Sequence, residues 1–302
     1  MPLLDIEAIS EPEAGRHGRL AGSLEEGNIL LLSETLFSIP EADRDFLLAQ
    51  RQSGGRFHKN IAYRPSGDRV TGFAGHGADA VRLRNVLRDY SRKALATLAS
   101  LFPVYARSWR VDYASFRPIE EEGRELPPRA RNDRIHVDAF PTRPSNGDRI
   151  LRFFTNIHRD RPREWVSGGT FESLAERYAV SSGLLREAVR RGPPGIAARI
   201  LRTIGLRRAV PSAYDSFMLR FHDFLKQSPD VQASLALERF SFPPGSSWIV
   251  LTDMVSHAVL AGQYALEQTV IVDRRALSLP AKAPVAILER LAGVSLTPPV
   301  ST

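Results

Sequence analysis

The sequence predicts a mainly β fold with helices: a jelly-roll core preceded by N-terminal helices and split by a helical insertion. Three observations carry this reading. Near residue 105 the spacing of apolar residues changes from the helical period to the strand period of two, the strand-like runs fall into two blocks, and a helical stretch separates the blocks. The expected layout is one unit over residues 1–302, with a strand and helices over 24–104, jelly-roll strands over 105–169 and 234–273, and the insertion over 170–230.

In chain order, GNILLLSETLF reads as a short buried strand. PEADRDFLLAQR reads as a helix whose early acids suit the positive end of its dipole. A long amphipathic helix follows, with Val81, Leu83, Val86, Leu87, Tyr90, Ala94, Leu95, Leu98 and Leu101 near a spacing of 3.6, and Pro103 ends it. SWRVDYASF, RIHVDAF and RILRFFTNIH read as strands, separated by the breakers PPRARND and PTRPSNGD. Helical signals run from about Thr170 to Gln227. ALERFSF, SWIVLTD, SHAVL and QYALEQTVIV then resume the strand pattern across PPGS and AG turns, and PVAILERLAG closes as a short helix.

With 302 residues, 43% apolar and 25% charged, the chain can bury a full core and does not read as disordered. It has no cysteine, which removes disulfides, thiolate nucleophiles and Cys-based zinc or iron–sulfur sites, so a metal must be held by His, Asp or Glu. The opening MPLLDIEAISEPEAG carries Asp5, Glu7, Glu11 and Glu13 and lacks the apolar core of a secretory signal. No apolar run approaches the roughly 18 residues of a membrane span, and a cytoplasmic protein is expected. Net charge is +7, and the segment 183–208 alone supplies +6, seven arginines against Glu187. Such local basicity suits a docking face for an anionic partner. No nucleic-acid motif accompanies it, and no nucleic-acid partner is expected.

The chemistry rests on His136-Val137-Asp138 and His257. In a strand, residues i and i+2 point to one face, so the imidazole and the carboxylate emerge side by side. A second histidine lies far along the chain on a strand of the second block. Two histidines and one carboxylate, two close and one distant on a double-stranded β-helix (a cupin-like jelly roll), are the facial triad of non-heme iron(II) oxygenases. Three coordination positions remain, two for the keto acid 2-oxoglutarate and one for O2. The same donor set also accommodates zinc, cobalt or nickel, so the residues alone leave the metal open.

The remaining histidines read differently. His222 lies on a helical pattern among Phe217, Phe221 and Phe224, as a core or boundary residue. His58, in RFHKNIAYRP, sits among cations, an amide and Tyr63, a mixture that suits either a solvated loop or an anionic ligand. The distal carboxylate of 2-oxoglutarate needs a cation or several hydrogen bonds. Many members of the superfamily open the final strand with an arginine, where this chain has Gln263-Tyr264-Ala265-Leu266. The alternation of RILRFFTN puts Arg152 on one face with Ile150, Phe154 and Asn156, and resemblance of FFTN to the aromatic-rich segment that lines the cosubstrate pocket of related hydroxylases implies that this face points inward, so Arg152 with Gln263 assisting are the expected cosubstrate residues.

RNDRIHVDAFPTRPSNGDRILRFFTNIH, with SHAVLAGQYALEQTVIV and FHKNIAYRP, resembles the Kdo 3-hydroxylases of Gram-negative bacteria, over about Leu24 to Asp273. HVDAFPTRP followed by RILRFFTNI is its most specific part. The resemblance implies an Fe(II)/2-oxoglutarate dioxygenase that hydroxylates carbon 3 of 3-deoxy-D-manno-oct-2-ulosonic acid (Kdo) in the lipopolysaccharide inner core, giving Ko. Carried over by motif, it assigns the metal to His136, Asp138 and His257. Its substrate would be Kdo on a lipid A precursor, rich in carboxylate and phosphate, which favours arginine forks and makes Lys59, Arg64 and Arg117 candidates. The basic segment, whose GIAARILRTIGL reads as an amphipathic helix with a cationic rim, would then meet anionic lipid on the inner face of the inner membrane. Two rival readings are a metal-dependent cupin-like isomerase or hydrolase, and a non-enzymatic basic membrane-binding protein.

Overall fold

The computed structural model describes residues 3–6, 13–34, 37–52, 60–191 and 211–298. Eleven strands of the described residues form two sheets. The larger runs β1 (Leu3–Asp5), β2 (Ile29–Leu32), β9 (Ser247–Leu251), β6 (Arg149–Asn156), β11 (Ala265–Val272), β5 (Arg110–Arg117), β3 (Ile61–Arg64) and β4 (Arg69–Thr71), in that spatial order. The smaller runs β10 (Ala258–Ala261), β7 (Arg163–Ser167) and β8 (Glu238–Phe242), all antiparallel. This is the expected mainly β architecture with helices, consistent with a jelly-roll core.

Helices cover the outer face of the large sheet. α1 (Glu13–Glu25), α2 (Glu41–Leu48), α3 (Gly77–Leu101) and α4 (Pro103–Ala106) precede the central strands. The 3.6-residue pattern of α3 is realised: Leu83, Val86, Leu87, Tyr90, Ala94, Leu98 and Leu101 are buried against the sheet, whereas Val81 is exposed. Its opposite number is the central strand β6, buried on both sides. Leu151 and Phe153 enter the core beneath the helices, while Phe154 packs between the sheets with Trp165, Phe240, Phe242 and Trp248. Alternation at period two thus serves two different interiors.

The insertion holds α5 (Phe171–Tyr178), α6 (Leu184–Arg191), α7 (Ala213–Gln227) and α8 (Pro229–Ser234), and α9 (Pro284–Ala292) packs back on α5. A capping box starts α7: the Ser212 hydroxyl accepts from the Asp215 N–H and the Asp215 carboxylate accepts from the Ser212 N–H. The same carboxylate accepts from the Ser145 and Asn146 N–H groups, which fastens the helix to the loop ahead of β6. Among the described residues no helix is long and apolar enough to cross a membrane.

Three expectations change. RIHVDAF is not a strand; only His136 forms a bridge, to His257, because no strand lies along its other edge among the described residues. REWVS, unassigned in the sequence reading, is β7, the middle strand of the smaller sheet. The N-terminal part, expected to hold one strand with helices, holds four strands among the described residues: β2 is the expected one, and β1, β3 and β4 join it in extending both ends of the large sheet.

Candidate metal centre

The bridge between His136 and His257 sets the centre. Each donates its N–H to the other's carbonyl, at 3.1 and 2.8 Å, and the Asp138 N–H donates to Thr252 O at 2.8 Å. One ligand atom each from His136, Asp138 and His257 then lie within 4.8 Å of one another, and all three residues are buried. Residues 121 apart in sequence are brought together by a single antiparallel pair.

The tautomers follow from the hydrogen bonds. Nδ1 of His136 lies 2.7 Å from Arg134 O, and Nδ1 of His257 lies 2.9 Å from Val255 O. A carbonyl oxygen only accepts, so each Nδ1 carries the proton and each Nε2 keeps its lone pair for a metal. Burial holds both imidazoles neutral by lowering their pKa values, and for His136 the neighbouring His257 adds to this. Burial acts on the Asp138 carboxyl in the opposite sense, but the Arg152 guanidinium beside it outweighs burial and keeps the group ionised. Its Oδ2 lies 2.9 Å from Arg152 Nη2 without hydrogen-bond alignment, and so has no hydrogen-bond partner. Two free imidazole nitrogens beside an ionised, incompletely satisfied carboxylate fit a divalent cation.

A cavity of about 630 Å³ opens over these three residues. Strands supply its walls at i, i+2 spacing: Tyr113, Ser115 and Arg117 from β5, Arg152 and Phe154 from β6, Arg163 and Trp165 from β7. α7 closes it with Leu219, His222, Asp223 and Lys226, at the i, i+3, i+4, i+7 spacing of one helix face. Trp165 stacks on His257 at 5.0 Å and His222 meets His136 edge-on at 4.8 Å. Six lining side chains are cationic and three are carboxylates, so the cavity favours anions.

The expected cosubstrate and substrate residues fare differently. Arg152 lines the cavity, but its Nη1 is 2.6 Å from Glu267 Oε1 and its Nη2 faces Asp138. Arg117 also lines it and spends Nε and Nη2 on Glu267 Oε2. Glu267 stands one diagonal step from both arginines on the neighbouring strands, which the register of β11 dictates. Gln263 falls outside the cavity lining; its amide donates to Pro118 O at 2.6 Å. Arg64 is also outside the lining and lies over the ring of Tyr113 at 4.8 Å. Lys59 and His58 lie outside the described residues, as does 192–210, which includes most of the basic segment.

Sequence reasoning missed Arg163, Trp165 and Lys226, and read His222 only as a core or boundary residue. The alternation of REWVS between Pro162 and Gly168 was a usable signal for the first two. The i, i+4 spacing of His222 and Lys226 away from the phenylalanines was another.

Comparison with known proteins agrees with this geometry. A family model for 3-deoxy-D-manno-oct-2-ulosonic acid (Kdo) hydroxylase matches residues 8–295. The chain belongs to the Kdo hydroxylase family. Among solved members, the Kdo hydroxylase KdoO, a non-heme Fe(II) α-ketoglutarate-dependent dioxygenase, is similar in its cobalt(II) complex at 33% identity and a TM-score of 0.82, over 100% of this chain and 99% of that one. Its complex with α-ketoglutarate and Fe(III) is similar at 32% identity and a TM-score of 0.79, over 98% of both chains. Its succinate and Fe(III) complex gives 33% and 0.81, over 100% and 99%. No curated protein sequence matches at a significant level. Kdo hydroxylase family membership thus spans the N-terminal helices, the insertion and the strands alike.

Proposed function

We propose that this protein is an Fe(II)/2-oxoglutarate-dependent dioxygenase that hydroxylates carbon 3 of Kdo in a lipopolysaccharide precursor, with residues 1–302 acting as one oxygenase unit. The observation that carries the reading is the convergence of His136, Asp138 and His257 at the wall of a cationic cavity. The iron, when bound, supplies dioxygen activation coupled to the cosubstrate, so that one oxygen atom enters the sugar C–H bond, the other enters succinate, and carbon dioxide leaves. The chain's own part is to hold the ligands neutral or ionised as needed, exclude water, and orient two anions.

Arg163 is the residue we assign to the distal carboxylate of 2-oxoglutarate. It is buried, its Nη1 donates to Gly262 O at 2.8 Å, Glu121 is 3.7 Å away, and its Nε meets no acceptor. Burial and then the nearby Arg117 push its guanidinium down to about 10. A buried cation short of counter-charge gains most from an incoming carboxylate. Arg152 and Arg117 already share Glu267, which leaves them to tie the metal carboxylate to the sheet.

The Kdo-lipid A precursor and peripheral contact with an anionic membrane through 183–208 are part of the same proposal, supported by the +6 charge of that segment. Reversing the charge of Arg199, Arg202, Arg207 and Arg208 is expected to reduce sedimentation with phosphatidylglycerol vesicles several-fold; unchanged sedimentation overturns the membrane contact. For the chemistry, iron-loaded protein is incubated with 2-oxoglutarate, oxygen and Kdo-lipid A precursor. The expected result is succinate in step with a sugar heavier by one oxygen atom, and loss of both in His136→Ala. An unaltered sugar without succinate would favour the isomerase or hydrolase reading.

A further inference from the structure

The segment that carries His136 and Asp138 has the twofold alternation of a strand but a sheet partner on one side only. His136 and Asp138 bond toward the barrel, through His257 and Thr252. Ile135 and Val137 are 2% and 0% exposed, and the Ile135 N–H, the Ile135 carbonyl and the Val137 carbonyl face the other way, toward the helical insertion. Unpaired, these groups would be costly, and the segment would have no defined register.

Side chains take the place of the missing strand. The Gln232 amide, on α8, accepts from the Ile135 N–H at 3.0 Å and donates to Ile135 O at 3.0 Å, which reproduces both bonds of an antiparallel pair. The same Nε2 reaches Leu225 O on α7 at 2.7 Å, so the amide is itself held. Two residues further along, His222 Nδ1 donates to Val137 O at 2.8 Å, the carbonyl between the two ligands. Its ring also backs onto His136.

We infer that Gln232 and His222 are positioning residues that act as a substitute edge strand for residues 135–138, so that the insertion sets the spacing of His136 and Asp138. The inference rests on these residues being metal ligands, as proposed above. Because each ligand alternates with a residue clamped from the insertion, loosening either clamp lets the ligand-bearing backbone shift or rotate. Affinity for metal then falls before any other part of the fold is affected. Outer partners of this kind change metal affinity by roughly 10- to 100-fold.

The test is a Co(II) titration of the full-length, metal-free protein, followed by visible absorption, alongside thermal unfolding without metal. Gln232→Met keeps volume and loses both bonds; His222→Phe keeps the ring and loses the donor. Each is expected to weaken Co(II) binding roughly 10- to 100-fold and to alter the absorption envelope. His222→Asn places an amide donor near the position of Nδ1 and is expected to recover affinity to within a few-fold. Met218→Ala, a core change on α7 that removes none of the clamp hydrogen bonds, is expected to lower the unfolding temperature and to keep wild-type affinity. If the wild type itself fails to bind Co(II), the metal assignment falls and this inference with it. If wild type binds and the clamp variants bind equally well, or if Met218→Ala loses as much affinity as they do, the substitute-strand role is overturned while the metal assignment stands.

Discussion

At the scale of single residues, Gly262 and Arg163 form a pair. Gly262 has φ +120°, and a Cβ there would come within 2.9 Å of the Arg163 backbone and 2.8 Å of its Cγ, so only glycine permits this approach. The approach lets the Gly262 carbonyl hold the guanidinium in the barrel. Arg163→Gln is therefore expected to raise the KM for 2-oxoglutarate at least tenfold, with Co(II) affinity within a few-fold of wild type, since the Arg163 guanidinium bonds to Gly262 O and faces Glu121 rather than His136, Asp138 or His257. Gly262→Ala is expected to move KM in the same direction and to lower the unfolding temperature. A normal KM in Arg163→Gln would transfer the role to another cation. The candidate metal residues His136 and Asp138 were legible at this scale because HxD is a local pattern. Arg163 was not, since its value depends on what its surroundings fail to provide, and neighbouring letters do not encode that.

Elements show where periodicity informs and where it does not. The long helix α3 and strands β5, β6, β9 and β11 follow from their own spacing, because each buries a face large enough to dominate its composition. RIHVDAF has a strand's composition without a strand's neighbours, and pairing is not a property of one segment. α1 went unread, and its place is secured through a polar group. Glu25, fully buried at its C-terminal end, accepts from the Tyr105 hydroxyl and from the Ser278 and Leu279 N–H groups, which joins α1 to α4 and to the chain after β11. Glu25→Ala leaves the Ser278 and Leu279 N–H groups without this acceptor and the Tyr105 hydroxyl with only Ala21 O at 3.4 Å, and is expected to cost roughly 2–4 kcal/mol of stability. Urea unfolding measures that loss, and Co(II) affinity is expected to remain at the wild-type value. A joint loss of affinity would make α1 a support of the metal centre as well as of the fold.

For the whole molecule, three imidazoles, those of His136 and His257 buried and that of His222 half-buried, make stability depend on acid. His136, His222 and His257 all have lowered pKa values, with burial the largest cause in each, and His222 is lowered to about 4. Between the unfolded value near 6.5 and about 4, the unfolded chain binds more protons at His222 than the folded one, so stability falls as pH falls through that window. For His222 alone the loss is about 2 kcal/mol by pH 5. Urea unfolding of the metal-free protein at pH 7 and pH 5 is expected to show at least this drop, reduced by about that amount in His222→Asn; an equal drop in both proteins would remove His222 from the account. The same burial follows from architecture. Period and breakers were enough for a mainly β fold with a jelly-roll core, and the absence of cysteine with one HxD triplet was enough to make His136 and Asp138 candidates for a metal, because those are short-range properties of a chain. The spatial order of eight strands, the meeting of His136 with His257, the charge balance of the cavity and the clamp from the insertion required the folded molecule, because each depends on which distant segments become neighbours, and backbone pairing between segments leaves no mark in either one alone.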